Sequence, residues 1–124
     1  MVIFGAELVG KILAGQKTVT RRRLHGSDTG IGWRGPSRYQ AGKVYAVQPG
    51  RGKQHVGHIH VWNVYPERLG RMTYVDAQSE GFTSLLDFTS YWETLHGGYD
   101  PDEIVTVIRF DLAPRCPDCA VWQP

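Results

Sequence analysis

The sequence predicts a small α+β domain whose short strands form a compact, strongly bent sheet closed into a barrel, with helices flanking it. Three observations carry this prediction. Apolar residues recur at helical spacing near the start of the chain and again between residues 74 and 97. They alternate at strand spacing in the middle and at the end. Fifteen glycines in 124 residues supply the turns that a bent sheet needs.

The elements follow in order. Ala6 to Ala14 reads as a helix, with Leu8 and Ile12, and Val9 and Leu13, each four residues apart on one side. Gly15 stands where a helix-terminating glycine belongs. The chain then turns β-like: Thr18, Thr20 and Arg22 share one face, Val19, Arg21 and Arg23 the other. Lys17, at the turn, has the reach to join the first face. Leu24 to Gly42 holds no hydrophobic period and reads as a long loop carrying Trp33, Arg34, Arg38 and Tyr39. Lys43 to Val47 is a short strand and Pro49-Gly50-Arg51-Gly52 a turn. Val56 to Tyr65 is a longer strand, with Ile59, Val61 and Tyr65 opposite His58, His60, Trp62 and Val64, ended by Pro66. A short helix covers Tyr74 to Gly81. A second runs from Ser84 to Gly97 on a stripe of Leu85, Phe88, Trp92 and Leu95, with Phe88, Tyr91 and Trp92 expected in the core. Ile104 to Leu112 closes the sheet, and residues 113–124 form an irregular tail outside the single domain of residues 1–112.

Composition excludes some classes. No apolar run approaches the roughly 18 to 20 residues of a membrane span, so no membrane partner is expected. Nothing resembles a secretory signal, which makes the cytoplasm the default compartment. Charge is unevenly divided. Residues 1–60 carry ten Lys or Arg against Glu7 and Asp28, and residues 61–124 carry four Arg against ten acids. A basic half suits a phosphate-bearing partner, and it equally suits pairing between the two halves in space.

The densest chemistry lies in Lys17-Thr18-Val19-Thr20-Arg21-Arg22-Arg23, which holds four cations, two hydroxyls and no acid. A phosphate-binding arm has no need of regularly spaced hydroxyls, whereas a substrate pocket does, so this segment reads as the floor of a site. Trp33, Arg34 and Tyr39 in the loop could stack on and clamp a nucleobase, or pin the loop to the barrel. His55, His58 and His60 lie close together without a neighbouring acid or cysteine, and Cys116-Pro117-Asp118-Cys119 is a lone C-x-x-C. Neither set completes a zinc site, and no metal is expected.

Gly15-x-Lys17-x4-Arg22 after a short helix resembles the signature of the ASCH domain, a β-barrel related to the RNA-binding PUA domains. The likeness extends over residues 5–112: the Ala77-Gln78-Ser79-Glu80-Gly81-Phe82 segment, the aromatic helix around Trp92 and the Val105 to Leu112 strand occur in the family's order. Small bacterial members of that family are amidohydrolases that remove the acetyl group of N4-acetylcytidine, giving cytidine and acetate. The resemblance implies Lys17, Thr20 and Glu80 as the catalytic trio, beside the motif arginine Arg22. Thr18, Arg21 and Arg23, with Trp33, Arg34 and Tyr39, are the expected substrate contacts. Thr20 would attack the acyl carbonyl, Lys17 would take its proton, Glu80 would protonate the leaving nitrogen, and Arg22 would stabilise the oxyanion. No cofactor is needed, the partner is a nucleoside, nucleotide or RNA, and a monomer is favoured. Against this stand a noncatalytic RNA-binding module, an endoribonuclease using the lysine and a histidine, and the plain reading that Lys17 and Glu80 tie strand to helix as an ion pair.

Overall fold

The computed structural model describes residues 2–23, 39–114 and 120. Its five strands are β1 (Val2–Ile3), β2 (Val19–Arg23), β3 (Val44–Gln48), β4 (Gly57–Arg68) and β5 (Ile104–Leu112), in the spatial order β1-β3-β4-β5-β2. β1 runs parallel to β3 and the other pairs are antiparallel. Three helices flank this sheet: α1 (Ala6–Leu13), α2 (Tyr74–Ser79) and α3 (Leu85–His96). The sheet curls into a half-barrel. Its two outermost strands meet, for Arg22 of β2 donates from Nη2 to the Ile3 carbonyl of β1 at 2.9 Å. The result is the α+β barrel that the alternation and glycines predict.

Local sequence explains where the helices stop. Gly15 follows α1 with φ of 77°, a left-handed backbone that side chains resist. α2 opens on a capping box in which Thr73 Oγ1 accepts from the Asp76 N–H and the Asp76 carboxylate from the Thr73 N–H. Ser84 caps α3 by accepting from the Asp87 N–H, and Gly97 ends it with φ of 81°.

Burial divides into two cores. Val9, Ile12, Val47, Ile59, Val61 and Phe110 belong to the one between α1 and the concave sheet. Leu69, Met72, Ala77, Phe88, Trp92 and Val105 form the second, beneath α2 and α3. Leu85 and Leu95, expected on the apolar stripe of α3, are exposed; Phe88 and Trp92 are the buried pair. That spacing of four residues leaves Leu85 and Leu95 at the margins of the helix face.

Three strand details differ from expectation. β4 does not end at Pro66 but runs to Arg68, with Pro66 opposite Thr106. β3 pairs only with Gly57 to His60, so no described strand flanks β4 at Pro66 on that side and a missing N–H costs little there. A bulge at Trp62, between the Val61 and Asn63 pairs, reverses the alternation beyond it. Val64 therefore packs with Ile59 and Val61 on the core, while Tyr65 turns its hydroxyl to Arg109. β1 was not foreseen, because a two-residue strand has no measurable period.

Candidate functional site

A cavity of about 390 Å³ opens where the edges of the sheet face α3. Its lining includes Lys17, Thr20, Arg21, Arg22 and Arg23 from the turn and β2, and Glu80 from the end of α2. Aromatic walls come from Phe4, Phe82 and α3.

The geometry is built by backbone bonds around Gly15 and Gly81. The Lys17 N–H donates to Lys11 O at 3.1 Å, which fixes the turn out of α1. The Thr18 N–H donates to Ser79 O at 2.8 Å, which ties the start of β2 to the end of α2. Gly81 has φ of 98°, and a Cβ there would lie 3.1 Å from the Lys11 side chain and 3.7 Å from Lys17 Cβ. The left-handed backbone therefore favours a glycine beside Glu80, and a Cβ there would also press on the Lys11 side chain. These constraints carry Glu80 to Lys17 across the molecule.

Lys17, Arg21 and Glu80 are each almost wholly buried. Lys17 Nζ donates to Glu80 Oε1 at 2.9 Å, to the Glu80 carbonyl at 2.8 Å and to the Val19 carbonyl at 2.9 Å. An ammonium has three protons, so these acceptors satisfy it. Arg21 Nη1 donates to Glu80 Oε2 at 3.0 Å and Nη2 to Glu67 Oε1 at 3.1 Å, with Asp76 Oδ2 at 3.7 Å. Asp76 also accepts from Arg109 Nη2 at 3.3 Å. The charges alternate along a chain from Lys17 through Glu80 and Arg21 to the Glu67 and Asp76 carboxylates and Arg109. Burying such a set is tolerable because each charge has an opposite neighbour.

The electrostatics follow. Burial pushes the Lys17 ammonium below its usual 10.5, and Arg22 and Arg21 add to that push, although Glu80 opposes it. For Asp76 burial acts upward, but the bonds from Thr73 and the charges of Arg21 and Arg109 outweigh it and hold the carboxyl below 3.8. Burial, then the nearby Arg23, lowers the His96 imidazole.

The remaining expected contacts are spread more widely. Thr20 is buried on the cavity wall, and no described residue hydrogen-bonds its hydroxyl. Arg22 lies over the Phe4 ring at 4.9 Å besides bonding Ile3. Arg23 reaches the rim and pairs with Glu103 at 2.9 Å. Thr18 and Tyr39 do not line the cavity. Tyr39 is buried in the first core, edge-on to Tyr45 at 5.1 Å. Trp33 and Arg34 lie outside the described residues, as do Cys116 and Cys119. The His55 and His58 rings are 5.3 Å apart, and the described residues hold no group of metal-ligating side chains.

Sequence reasoning missed the other half of the site. Glu67 and Asp76 bind Arg21 from β4 and α2, and only strand pairing could have brought them there. Tyr91, expected in the core, lines the cavity with Phe82 and Trp92. No described helix is long and apolar enough to cross a membrane.

No protein-family model matches the chain, and no curated protein matches its sequence. Solved structures do match in shape. A DUF984 protein of Enterococcus faecalis V583 superposes with a TM-score of 0.65 at 16% identity, over 94% of this chain and 84% of its own. The ASCH domain of Lactobacillus crispatus JV V101 gives 0.62 at 20% identity, over 86% and 70%. The ASCH protein of Zymomonas mobilis gives 0.57 at 17% identity, over 92% and 66%. At such identities the likeness carries the architecture, and on that ground this chain has the fold of the ASCH domains.

Proposed function

We propose that the cavity is a nucleobase pocket and that its reaction is hydrolysis of an acylated pyrimidine such as N4-acetylcytidine to cytidine and acetate. One observation supports this above others: Lys17, Thr20, Arg22 and Glu80, named from a short motif and a distant segment, converge on one cavity with aromatic walls. In the reaction Thr20 Oγ1 attacks the acyl carbon and gives its proton to the Lys17 amine. The lowered affinity of Lys17 for that proton suits the role. Arg22 lies on the same wall to stabilise the oxyanion. The bond from carbon to N4 then breaks as Glu80 relays the proton from Lys17 to the nitrogen along their hydrogen bond. Water cleaves the acetyl ester of Thr20, which releases acetate while a proton of that water returns to Oγ1.

The noncatalytic reading has its own support. Lys17 Nζ spends its donors on Glu80 and Val19 and none on Thr20. Catalysis requires that arrangement to loosen when ligand enters. A purely ligand-binding pocket requires no such change.

Chromatography of N4-acetylcytidine incubated with the protein separates these readings. The hydrolytic reading expects cytidine to form, with Lys17→Ala slower by a factor of about 10² to 10⁴. Turnover should rise with pH along an ionisation below 10.5 that Lys17→Ala abolishes. Absence of cytidine from the folded wild type sinks the hydrolase reading. RNA binding that weakens steeply with salt then favours the noncatalytic module.

A further inference from the structure

The charged groups of the cavity are largely committed to one another. Lys17 is satisfied internally, Arg21 is held by Glu80 and Glu67, and Arg23 is held by Glu103. What the cavity offers a ligand is therefore better sought among its uncharged groups. Among the described residues, two that carry hydroxyls line it, Thr20 and Tyr91, and no described residue hydrogen-bonds either hydroxyl. Tyr91 is half-buried on α3, one turn after Phe88, and its ring packs on Phe82 with centroids 5.2 Å apart. That packing fixes the ring of a residue that stands on the cavity wall. A tyrosine half removed from water, without a partner for its O–H among the described residues, is suited to a ligand acceptor.

We propose that Tyr91 is a ligand-binding residue of this cavity, its phenol O–H donating to a carbonyl or ring-nitrogen acceptor of an uncharged planar heterocycle that lies against the aromatic wall. This rests on the reading of the cavity as a nucleobase pocket and names a residue and a charge class within it. Phe82 supplies flat apolar surface beside the phenol, backed by the buried Trp92. Burial, with Glu7 and Glu80 nearby, raises the Tyr91 phenol above 10.0, so it keeps its proton and remains a donor throughout the neutral range. Arg22 acts in the opposite sense and does not reverse that outcome. An uncharged group at the cavity floor follows from the ion pairs: a phosphate seated there would have to draw Arg21 or Lys17 from buried carboxylates, which is costly, and Arg22 on the wall is engaged by the Ile3 carbonyl and the Phe4 ring.

The test is calorimetric titration of cytidine, which is not turned over, into the wild type and Tyr91→Phe, with cytidine 5′-monophosphate in parallel at low and high salt. The expected result is that Tyr91→Phe keeps the wild-type melting temperature and binds cytidine roughly three- to tenfold more weakly, the loss of one hydrogen bond. Cytidine should bind equally at both salt concentrations, and the monophosphate no more tightly than cytidine. Equal binding by wild type and Tyr91→Phe overturns the role of Tyr91. Tighter, salt-sensitive binding of the monophosphate overturns the uncharged ligand. A wild type that binds no cytidine overturns the inference together with the nucleobase reading. Binding by the wild type without hydrolysis of N4-acetylcytidine sinks only the hydrolase reading, and the comparison with Tyr91→Phe still decides this one.

Discussion

Removing the Glu80 carboxylate strips a partner from two buried cations, Lys17 and Arg21. Removing Lys17 leaves Glu80 still bound to Arg21. Glu80→Ala should therefore destabilise more than Lys17→Met, by about 3 to 5 kcal/mol for the former. Denaturant midpoints of the two variants check this, and the reverse order would show that Arg21 satisfies itself through Glu67 and Asp76. Asp76 makes a pH prediction. Its folded pKa lies below 3.8, so its stabilising contribution is present above pH 3.8 and is lost as pH falls through the folded value. Asp76→Asn should flatten the acid limb of a plot of melting temperature against pH. At this scale the sequence was informative where the motif is contiguous. Lys17, Thr20 and Arg22 were found from their spacing, and Glu80 through resemblance of its own segment. Glu67 and Asp76 were illegible because the strand pairing that delivers them is long-range, and Tyr91 because an aromatic on a helix stripe reads as core.

Among the elements, those with their own punctuation were the easiest to place. α1 and α3 each end on a glycine with positive φ, and α3 begins on a serine cap. What escaped was a bulge of one residue. Trp62 exchanges the faces of β4, and no alternation rule anticipates where a strand gains an extra residue. Pro66 misled for a related reason: it ends a strand only where its flank is paired. Gly81 is the element-level position on which the site depends. Gly81→Ala meets both a left-handed backbone and the side chain of Lys11, whose Nζ also donates to the Gly81 carbonyl. Its expected cost is about 1 kcal/mol or more. On the hydrolase reading it should also lower kcat beyond the stability loss, because Glu80 moves with it. Unchanged kcat in a destabilised Gly81→Ala protein would show that Glu80 is held by its ion pairs alone.

For the whole molecule, part of the charge asymmetry of the sequence resolves into internal pairing. Lys17, Arg21 and Arg23 lie in the basic half; the acids that meet them, Glu67, Asp76, Glu80 and Glu103, lie in the acidic half. The basic run therefore says less about a polyanionic partner than its composition suggests. The topology adds a second demand, since β2 pairs with β5 and the two lie at opposite ends of the described chain. A chain ending at residue 103 lacks that partner and should be unfolded by circular dichroism at any salt concentration. A native-like spectrum from it would mean that β2 is held by α2 alone.

The pairing of β2 with β5 also has a consequence in time. Ribosomes add roughly 5 to 20 residues per second. The strand bearing Arg21, Arg22 and Arg23 therefore waits several seconds before Ile104 to Leu112 is made. Throughout that interval the strand lacks its neighbour, and Arg21 and Arg23 gain their acids only as residues 67 to 103 are made. The nearest polyanion is the RNA of the ribosome itself. The mature protein ties Arg21 and Arg23 into its own framework, and a growing chain should hold them there only once those acids and the β5 strand have emerged.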